Sequence, residues 1–269
     1  YDMAVRPEIS DDNLKILSSE LIAKTDFATG DVEKARSRLL QLQKEGLTWG
    51  GYRLLGDIYK EDAEQRNVSA YKDAISSYQT AIKLSNGTIT DADLHYNLGS
   101  SLLNDGQYDQ AAESLRTSMS LQPNNSHVLN NLGVAYFHLN RRAEAQKLIE
   151  RSVKLDDGCM SRFNLGTFLY ESQQYYSAIK HFRHALRLCR KSKQNGEEAA
   201  VNELVVQINL AKSLRRDPKK THESLALYRA VLKEMKSEKV RIEEKDNNKV
   251  MLTAHDMQVG NILAEIGDI

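Results

Sequence analysis

A short motif returns along this chain at an almost constant interval. Gly99, Gly133 and Gly166 each follow a leucine, and successive glycines are 34 and 33 positions apart. Self-similarity at this period is typical of repeat architectures in which each repeat is a hairpin of two helices. One such hairpin cannot bury its apolar face alone, so neighbouring hairpins must stack. The spacing therefore predicts a chain of stacked helix hairpins.

Residues around each glycine make the pattern specific. Three blocks carry large, small and aromatic residues at matching offsets, and they resemble tetratricopeptide repeats (TPRs). The matching residues are Leu98, Leu102, Gly106, Tyr108, Ala111, Leu115 and Pro123; Leu132, Tyr136, Ala145, Ile149 and Ser152; and Leu165, Leu169, Tyr175, Ala178, Phe182 and Ala185. The resemblance implies an all-α fold: a right-handed α-solenoid of about six TPR helix hairpins plus a C-terminal helix, with the first (A) helices lining a concave surface.

The same pattern sets the expected domain organisation. We predict one TPR solenoid domain over 10–269 after a leader at 1–9. The repeats are expected at approximately 16–48, 49–91, 92–125, 126–158, 159–192 and 197–237, followed by a C-terminal helix at 251–269. The second repeat carries about six extra residues near 61–70, which either loop out or extend its A helix. The basic, polar segment 191–195 is interpreted as a linker, and Thr221 as the N-cap of a later helix.

Composition excludes several classes of partner. The formal net charge is +0, so no overall electrostatic attraction favours nucleic acid or an anionic membrane surface. No run of about 20 apolar residues is present, and we expect no membrane insertion. Because the sequence begins with Tyr1 rather than methionine, we expect the natural N-terminus to be missing. A cytoplasmic location is our expectation, with a secretory or organellar one left open.

Reactive side chains are few. There is no phosphate-binding loop, zinc-protease motif or nucleophile elbow, so we expect no enzyme activity and no cofactor. His181 and His184 lie at helical spacing near Cys189, but they are expected to face outward, and we predict no metal site. Cys159 and Cys189 are placed at the start and end of one hairpin, where a disulfide is geometrically possible; two free thiols are the alternative.

An asparagine recurs at one position of the A helices. If the large residue before the recurring glycine or alanine is numbered slot 7 and that glycine or alanine slot 8, slot 6 holds Asn97, Asn131, Asn164 and Asn209. Asparagine disfavours helix interiors because its amide competes with the backbone for hydrogen bonds. A carboxamide both donates and accepts, which suits it to the backbone of an extended peptide. We predict an asparagine ladder that binds peptide; the alternative is that each amide bonds to the neighbouring hairpin and sets the stacking.

A similar ladder occurs in the TPR domains of O-linked N-acetylglucosamine transferase and of the peroxisomal targeting-signal receptor. The resemblance is limited to the slot. It implies that other residues of the same face contact the partner's side chains, and the candidates are Tyr96, His127, Asn130, Phe137, Phe163 and Tyr170. The sequence thus predicts a protein–protein interaction scaffold that binds an extended segment of another protein. Two alternatives stay open: the substrate-recruiting or regulatory arm of a larger enzyme, and an architectural subunit of a multiprotein complex.

One specific TPR function can be tested on the sequence. The carboxylate clamp of chaperone-binding TPR domains needs lysine at slot 5 and asparagine at slot 9 of one repeat, asparagine at slot 6 of the next, and lysine and arginine at slots 2 and 6 of the third. Around Asn97 those slots hold Arg53 and Asp57 in the preceding repeat, and His127 and Asn131 in the following one. The required set of cationic side chains is missing, so we expect no binding of this kind.

Overall fold

The computed structural model describes residues 11–65, 68–85, 91–195, 203–245 and 264. Over these residues the chain forms α-helices and one 3₁₀ turn, Pro218–Lys220, with no strand. The helices are α1 (Asp11–Ala28), α2 (Val32–Leu42), α3 (Trp49–Gln65), α4 (Ala70–Leu84), α5 (Ala92–Asn104), α6 (Tyr108–Leu121), α7 (Ser126–His138), α8 (Arg142–Leu155), α9 (Cys159–Glu171), α10 (Tyr175–Gln194), α11 (Glu203–Arg215) and α12 (Thr221–Lys245). The predicted all-α class is confirmed.

The helices fall into two compact units, residues 1–141 and 142–269. In the first unit α1 packs on α2, α3 on α4, and α5 on α6, while α7 covers α6. In the second unit α8 packs on α9, α9 on α10, α10 on α11, and α11 on α12. Each unit is therefore a series of packed consecutive helices, as the repeat pattern predicts.

The cores of the units lie between successive helices. In the first unit Leu39 of α2 and Ile58 of α3 are fully buried in one cluster with Ala23 of α1. In the second, Tyr228 and Val231 of α12 are fully buried against α11. In each of these contacts, the small residue at slot 8 of one helix leaves room for a large side chain of the following helix.

Two glycines show why slot 8 must stay small. A Cβ at Gly56 would lie 2.6 Å from ring atoms of Tyr78, and one at Gly166 would lie 2.8 Å from the ring of Phe182. Real Cβ atoms do not approach other heavy atoms this closely without displacing them. The missing side chain therefore lets an aromatic ring of the second helix lie directly on the first helix of its hairpin.

The extra residues of the second repeat lengthen its A helix. Helix α3 has 17 residues, whereas α5, α7 and α9 have 13 each. Of the two alternatives for residues 61–70, the extended helix is thus confirmed for the part that the structure describes. The added turn carries Glu64, which forms an ion pair at 3.8 Å with Lys60 of the preceding turn.

Two boundary predictions are wrong. Helix α10 continues for 20 residues to Gln194, so residues 191–194 are helix rather than linker. Lysine and glutamine are good helix formers, and nothing in this segment interrupts the backbone hydrogen bonds.

Thr221 does not cap α12, because it is the first residue of that helix. Asp217 instead caps the 3₁₀ turn before it by accepting the Lys219 backbone N–H. The predicted leader at 1–9 and, apart from Ala264, the predicted C-terminal helix at 251–269 lie outside the described residues.

A disulfide joins Cys159 and Cys189, whose Cα atoms are 5.4 Å apart. Cys159 is the first residue of α9, and Cys189 lies in the C-terminal half of α10. The bridge therefore closes the end of an antiparallel hairpin. Of the two alternatives left by the sequence, the structure has the bridge.

Candidate functional site

Asn97 on α5 bridges its own helix to the preceding A helix, α3. Its amide nitrogen donates to Asp57 Oδ1 at 3.0 Å, and its carbonyl oxygen accepts from Lys60 Nζ at 3.2 Å. The side chain is half-buried. These contacts are those of the alternative in which slot 6 sets hairpin stacking. A carboxamide has two N–H donors and two carbonyl lone pairs, so the two bonds do not saturate the group.

Asp57 forms the polar centre of this contact. Its Oδ1 also accepts a hydrogen bond of 2.7 Å from the hydroxyl of Tyr78, which lies on α4. Burial raises the pKa of Asp57 above its ordinary range, although the Tyr78 hydroxyl and the nearby Arg53 act in the opposite direction. Burial and the adjacent carboxylate likewise raise the pKa of Tyr78, so its hydroxyl remains protonated as the donor.

Asn131 on α7 occupies the next slot 6. Its carbonyl oxygen accepts from the Asn130 amide at 3.2 Å, and its side chain hydrogen-bonds with Tyr96 of α5. Burial raises the pKa of Tyr96. Lys60 Nζ lies over the Tyr96 ring, 5.7 Å from its centroid. Tyr96, Asn97 and Asn131 are therefore brought together on α5 and α7 of the first unit, whereas Asn130 is buried beside them and does not reach the surface as predicted.

The other predicted residues of the first unit lie further along α7. His127 is exposed in the first turn of the helix, and Phe137 is partly exposed near its end. Phe137 contacts His138 edge to face at 5.7 Å, and the His138 ring stacks on Tyr108 at 4.2 Å. The end of α7 is thus an aromatic cluster that includes Phe137 but not the amides.

In the second unit the predicted residues make different kinds of contact. Phe163 lies 5.8 Å from Phe182, the ring that covers Gly166, so it belongs in part to the packing of its hairpin. Asn164 is half-buried beside it on α9. The Asn209 amide donates to the Val205 carbonyl of its own helix at 2.9 Å. Its contact therefore differs from those of Asn97 and Asn131.

Tyr170 takes part in an aromatic and cationic cluster. Its ring meets Tyr175 at 5.5 Å in an edge-to-face arrangement. The Arg216 guanidinium lies 6.0 Å from the Tyr170 ring and 5.6 Å from the Tyr175 ring. It also donates to the Tyr170 hydroxyl at 3.4 Å. Tyr170 thus contacts Arg216, which directly follows α11, as well as Tyr175 of its own hairpin.

The sequence reasoning missed the most connected residues of the site. Asp57 and Lys60 were not predicted as site residues, yet both bind Asn97. The sequence could have indicated them. Asp57 and Lys60 occupy slots 9 and 12 of the second repeat, one and two helical turns after Arg53, and therefore lie on the same face of α3 as Arg53.

Among the described residues, no group of three or more histidine, cysteine, aspartate or glutamate side chains could hold a metal ion. His181 instead lies 3.2 Å from the guanidinium of Arg162, which also pairs with Asp157. Burial and the neighbouring Arg162 lower the pKa of His181, so the imidazole is favoured in its neutral form. None of the helices in the described ranges has the length and apolar character to cross a bilayer.

Comparison with protein families identifies the repeats. Three family models described as tetratricopeptide repeats match residues 102–165, 64–118 and 160–192. No curated protein matches this sequence. The three matches adjoin or overlap along the chain, and they cover the blocks that carry the Leu-Gly pattern.

Solved structures show the same fold at low sequence identity. MamA (residue 41 to the end) from Desulfovibrio magneticus RS-1 aligns with a TM-score of 0.56 and 19% identity over 68% of this chain and 98% of its own. PilF from Pseudomonas aeruginosa aligns at 0.54 and 16%, over 93% and 100%. The APC/C Cut9–Hcn1 structure aligns at 0.62 and 16%, over 92% of this chain and 42% of that one. This chain therefore contains tetratricopeptide repeats and has the fold of TPR proteins.

Proposed function

We propose that this chain is a protein-interaction scaffold that binds an extended segment of a partner along the face formed by its A helices. The proposal rests on a group of polar side chains in the first unit. Tyr96, Asn97, Asn130 and Asn131 lie together on α5 and α7, and Asn97 and Asn131 keep hydrogen-bonding capacity beyond the bonds to their neighbours. The function is equilibrium binding on a preformed surface, without bond-making.

The chemistry of an extended peptide suits this surface. Such a segment presents backbone N–H and C=O groups that must find partners when they leave water. Amides already oriented by Asp57, Lys60 and Tyr96 offer donors and acceptors with little loss of side-chain entropy on binding. The contacts that set the stacking of the hairpins therefore also hold the amides in place for a ligand.

A binding experiment tests the proposal. Random twelve-residue peptides displayed on phage are selected against the full chain, and selected peptides are synthesised for calorimetry. We expect the double substitution Asn131→Ala with Asn164→Ala, which removes one amide from each unit, to weaken binding at least tenfold while the circular dichroism spectrum stays unchanged.

The matched control removes two exposed amides from interhelical turns, Asn124→Ala with Asn195→Ala, and should bind as the wild type does. Unchanged affinity in the Asn131 and Asn164 variant would mean that the amides set the stacking of the hairpins only. Crosslinks between a native partner and residues away from the A helices would favour the architectural alternative.

A further inference from the structure

One face of α10, in the second unit, carries a row of cationic side chains. Arg183, Arg187 and Lys191 follow one another at intervals of four residues, a spacing that places them on the same side of the helix. They line a groove of about 440 Å³ together with Leu186, Arg190 and Gln194. All of these residues belong to α10, so the groove is distinct from the face that the A helices form.

Two of the four cations are already paired with glutamates of the following helices. Arg183 forms an ion pair with Glu223 in the first turn of α12. Arg190 Nε donates to Glu203 Oε1, in the first turn of α11, at 2.7 Å. Both partners present the same group, so the face already binds carboxylates at two positions.

The other two cations have no such partner. Arg187 and Lys191 are exposed, and within the part of the chain that the structure describes they form no ion pair or hydrogen bond. Four cations and two carboxylates leave the groove with a positive charge among the described residues. The second unit has the same sign, since residues 142–269 hold 23 lysines and arginines against 18 aspartates and glutamates. This unit therefore attracts an anionic partner, although the chain as a whole is neutral.

The spacing of the two unpaired cations limits what they can bind together. Four residues of α-helix rise by about 6 Å. In an extended segment, alternate side chains point to the same side and are roughly 6.6 Å apart. Two acidic residues separated by one residue therefore match Arg187 and Lys191. The guanidinium can in addition donate two parallel hydrogen bonds to one carboxylate.

A polynucleotide fits this face less well. Glu203 and Glu223 are held near opposite ends of the row through Arg190 and Arg183. Each of these carboxylates would repel the phosphates of a backbone that ran along the whole groove, because a nucleic acid carries charge at every nucleotide. Two acidic side chains placed between them would meet only the unpaired cations.

We propose that this groove binds an acidic segment of a partner protein, in which two aspartates or glutamates are separated by one residue. Their carboxylates pair with Arg187 and Lys191, while Arg183 and Arg190 keep the glutamates of α11 and α12. The groove is a second interaction surface, beyond the amide-bearing face of the A helices. Binding here does not require the amides.

Phage selection with depletion tests this assignment. Twelve-residue peptides that bind the full chain are depleted on the variant Arg187→Glu with Lys191→Glu, so that peptides requiring the two cations remain. We expect these to be enriched in two acidic residues separated by one residue. In calorimetry their affinity should fall about tenfold in this variant, and by a similar factor when glutamine replaces both acids. Absence of acidic pairs among the remaining peptides would overturn the proposal.

Two further measurements tie the effect to the groove. Peptides in which lysine replaces both acids should bind the Arg187 and Lys191 variant better than they bind the wild type. The circular dichroism spectrum of that variant should be unchanged, because both side chains are exposed. The variant Asn131→Ala with Asn164→Ala should bind the acidic peptides as the wild type does, so failure of the amide ladder and failure of the groove are distinguishable.

A matched control changes two exposed cations outside the groove, Lys193 of α10 and Arg229 of α12. Lys193→Glu with Arg229→Glu makes the same change in net charge and should leave the affinity unchanged. An equal loss of affinity in this control would assign the effect to the net charge of the unit, and the groove would be overturned.

Three outcomes would identify another occupant and contradict the proposal. Displacement of the selected peptides by an equal concentration of a twelve-nucleotide single-stranded DNA would indicate a polynucleotide. Glu197 and Glu198 lie outside the described residues, and a tenfold gain in peptide affinity on replacing both by glutamine would indicate the chain's own acidic segment. A concentration-dependent oligomer in sedimentation velocity that the Arg187 and Lys191 variant abolishes would indicate a second copy of the chain.

Discussion

The side chain of Asn97 donates a hydrogen bond of 3.0 Å to Asp57, a residue 40 positions earlier in the chain. The same oxygen of Asp57 accepts from Tyr78, so one carboxylate connects α3, α4 and α5. Two successive hairpins are thereby joined through a half-buried acid. The stability of the first unit should depend on the protonation state of that acid.

The first prediction concerns pH. Burial raises the folded-state pKa of Asp57, so between the ordinary aspartate pKa and the raised value the folded chain holds a proton that the unfolded chain has lost. The contribution of Asp57 to the free energy of unfolding is therefore fully present at low pH and is lost as the pH rises through the folded-state pKa. Asp57→Asn mimics the protonated acid, and its free energy of unfolding should fall less than that of the wild type between pH 4 and 7.

Urea denaturation at a series of pH values measures this difference. Asp93→Asn, which changes an exposed carboxylate on α5, should keep the wild-type profile. Parallel profiles for the wild type and Asp57→Asn would show that the carboxylate ionises in the folded chain as readily as in water.

The second prediction concerns the small residue at slot 8. A Cβ at Gly56 would lie 2.6 Å from the Tyr78 ring, and that ring is held in place by the bond of its hydroxyl to Asp57. Gly56→Ala should therefore lower the free energy of unfolding by about 2 kcal/mol, in spite of the higher helix propensity of alanine. Guanidinium denaturation followed by circular dichroism measures the change.

Gly50 provides the control in the same helix. A Cβ there would meet nothing closer than 3.5 Å, which is ordinary van der Waals contact. Gly50→Ala should leave stability unchanged or raise it by up to about 1 kcal/mol. Equal stabilities for the two alanine variants would contradict the close packing of Tyr78 on α3.

The third prediction concerns the disulfide. Cys159 and Cys189 are separated by 30 positions, and a bridge over a loop of this length restricts the unfolded chain. Replacing both cysteines by serine, or adding reductant, should lower the free energy of unfolding by about 3 kcal/mol. The relevant measurement is denaturation of the wild type and the double serine variant with and without dithiothreitol.

The double serine variant is its own control, since reductant should not change its stability. Peptide mapping by mass spectrometry of the non-reduced protein should find the two cysteines in one linked fragment. Two titratable thiols in protein purified under air would contradict the bridge.

Local patterns were sufficient to predict that consecutive helices pack on one another within each unit. The spacing of Gly99, Gly133 and Gly166 depends only on which residues one helix presents to the next in the same hairpin, and such contacts are close in sequence. For the same reason the C-terminal end of α10 and the start of α12 were placed wrongly. Helix ends depend on caps and on packing that the period does not encode.

The candidate site was predicted only in part. Slot counting identified Asn97 and Asn131 as special, but not that Asp57, Lys60 and Tyr96 bind them. No residue of the first repeat was among the predicted site residues, although Leu17 and Leu21 line a cleft with Trp49.

The sequence by itself determined the hairpins, the small residues that let their helices touch, and the slot at which asparagine recurs. Only the tertiary structure decided what three of those asparagines contact. Asn97 bonds to α3, Asn131 bonds to α5 and to Asn130, and Asn209 bonds to the backbone of its own helix. The physical reason is distance along the chain. A side chain's position within a helix follows from nearby residues, whereas its hydrogen-bond partner about 40 positions away depends on how one hairpin stacks on the next.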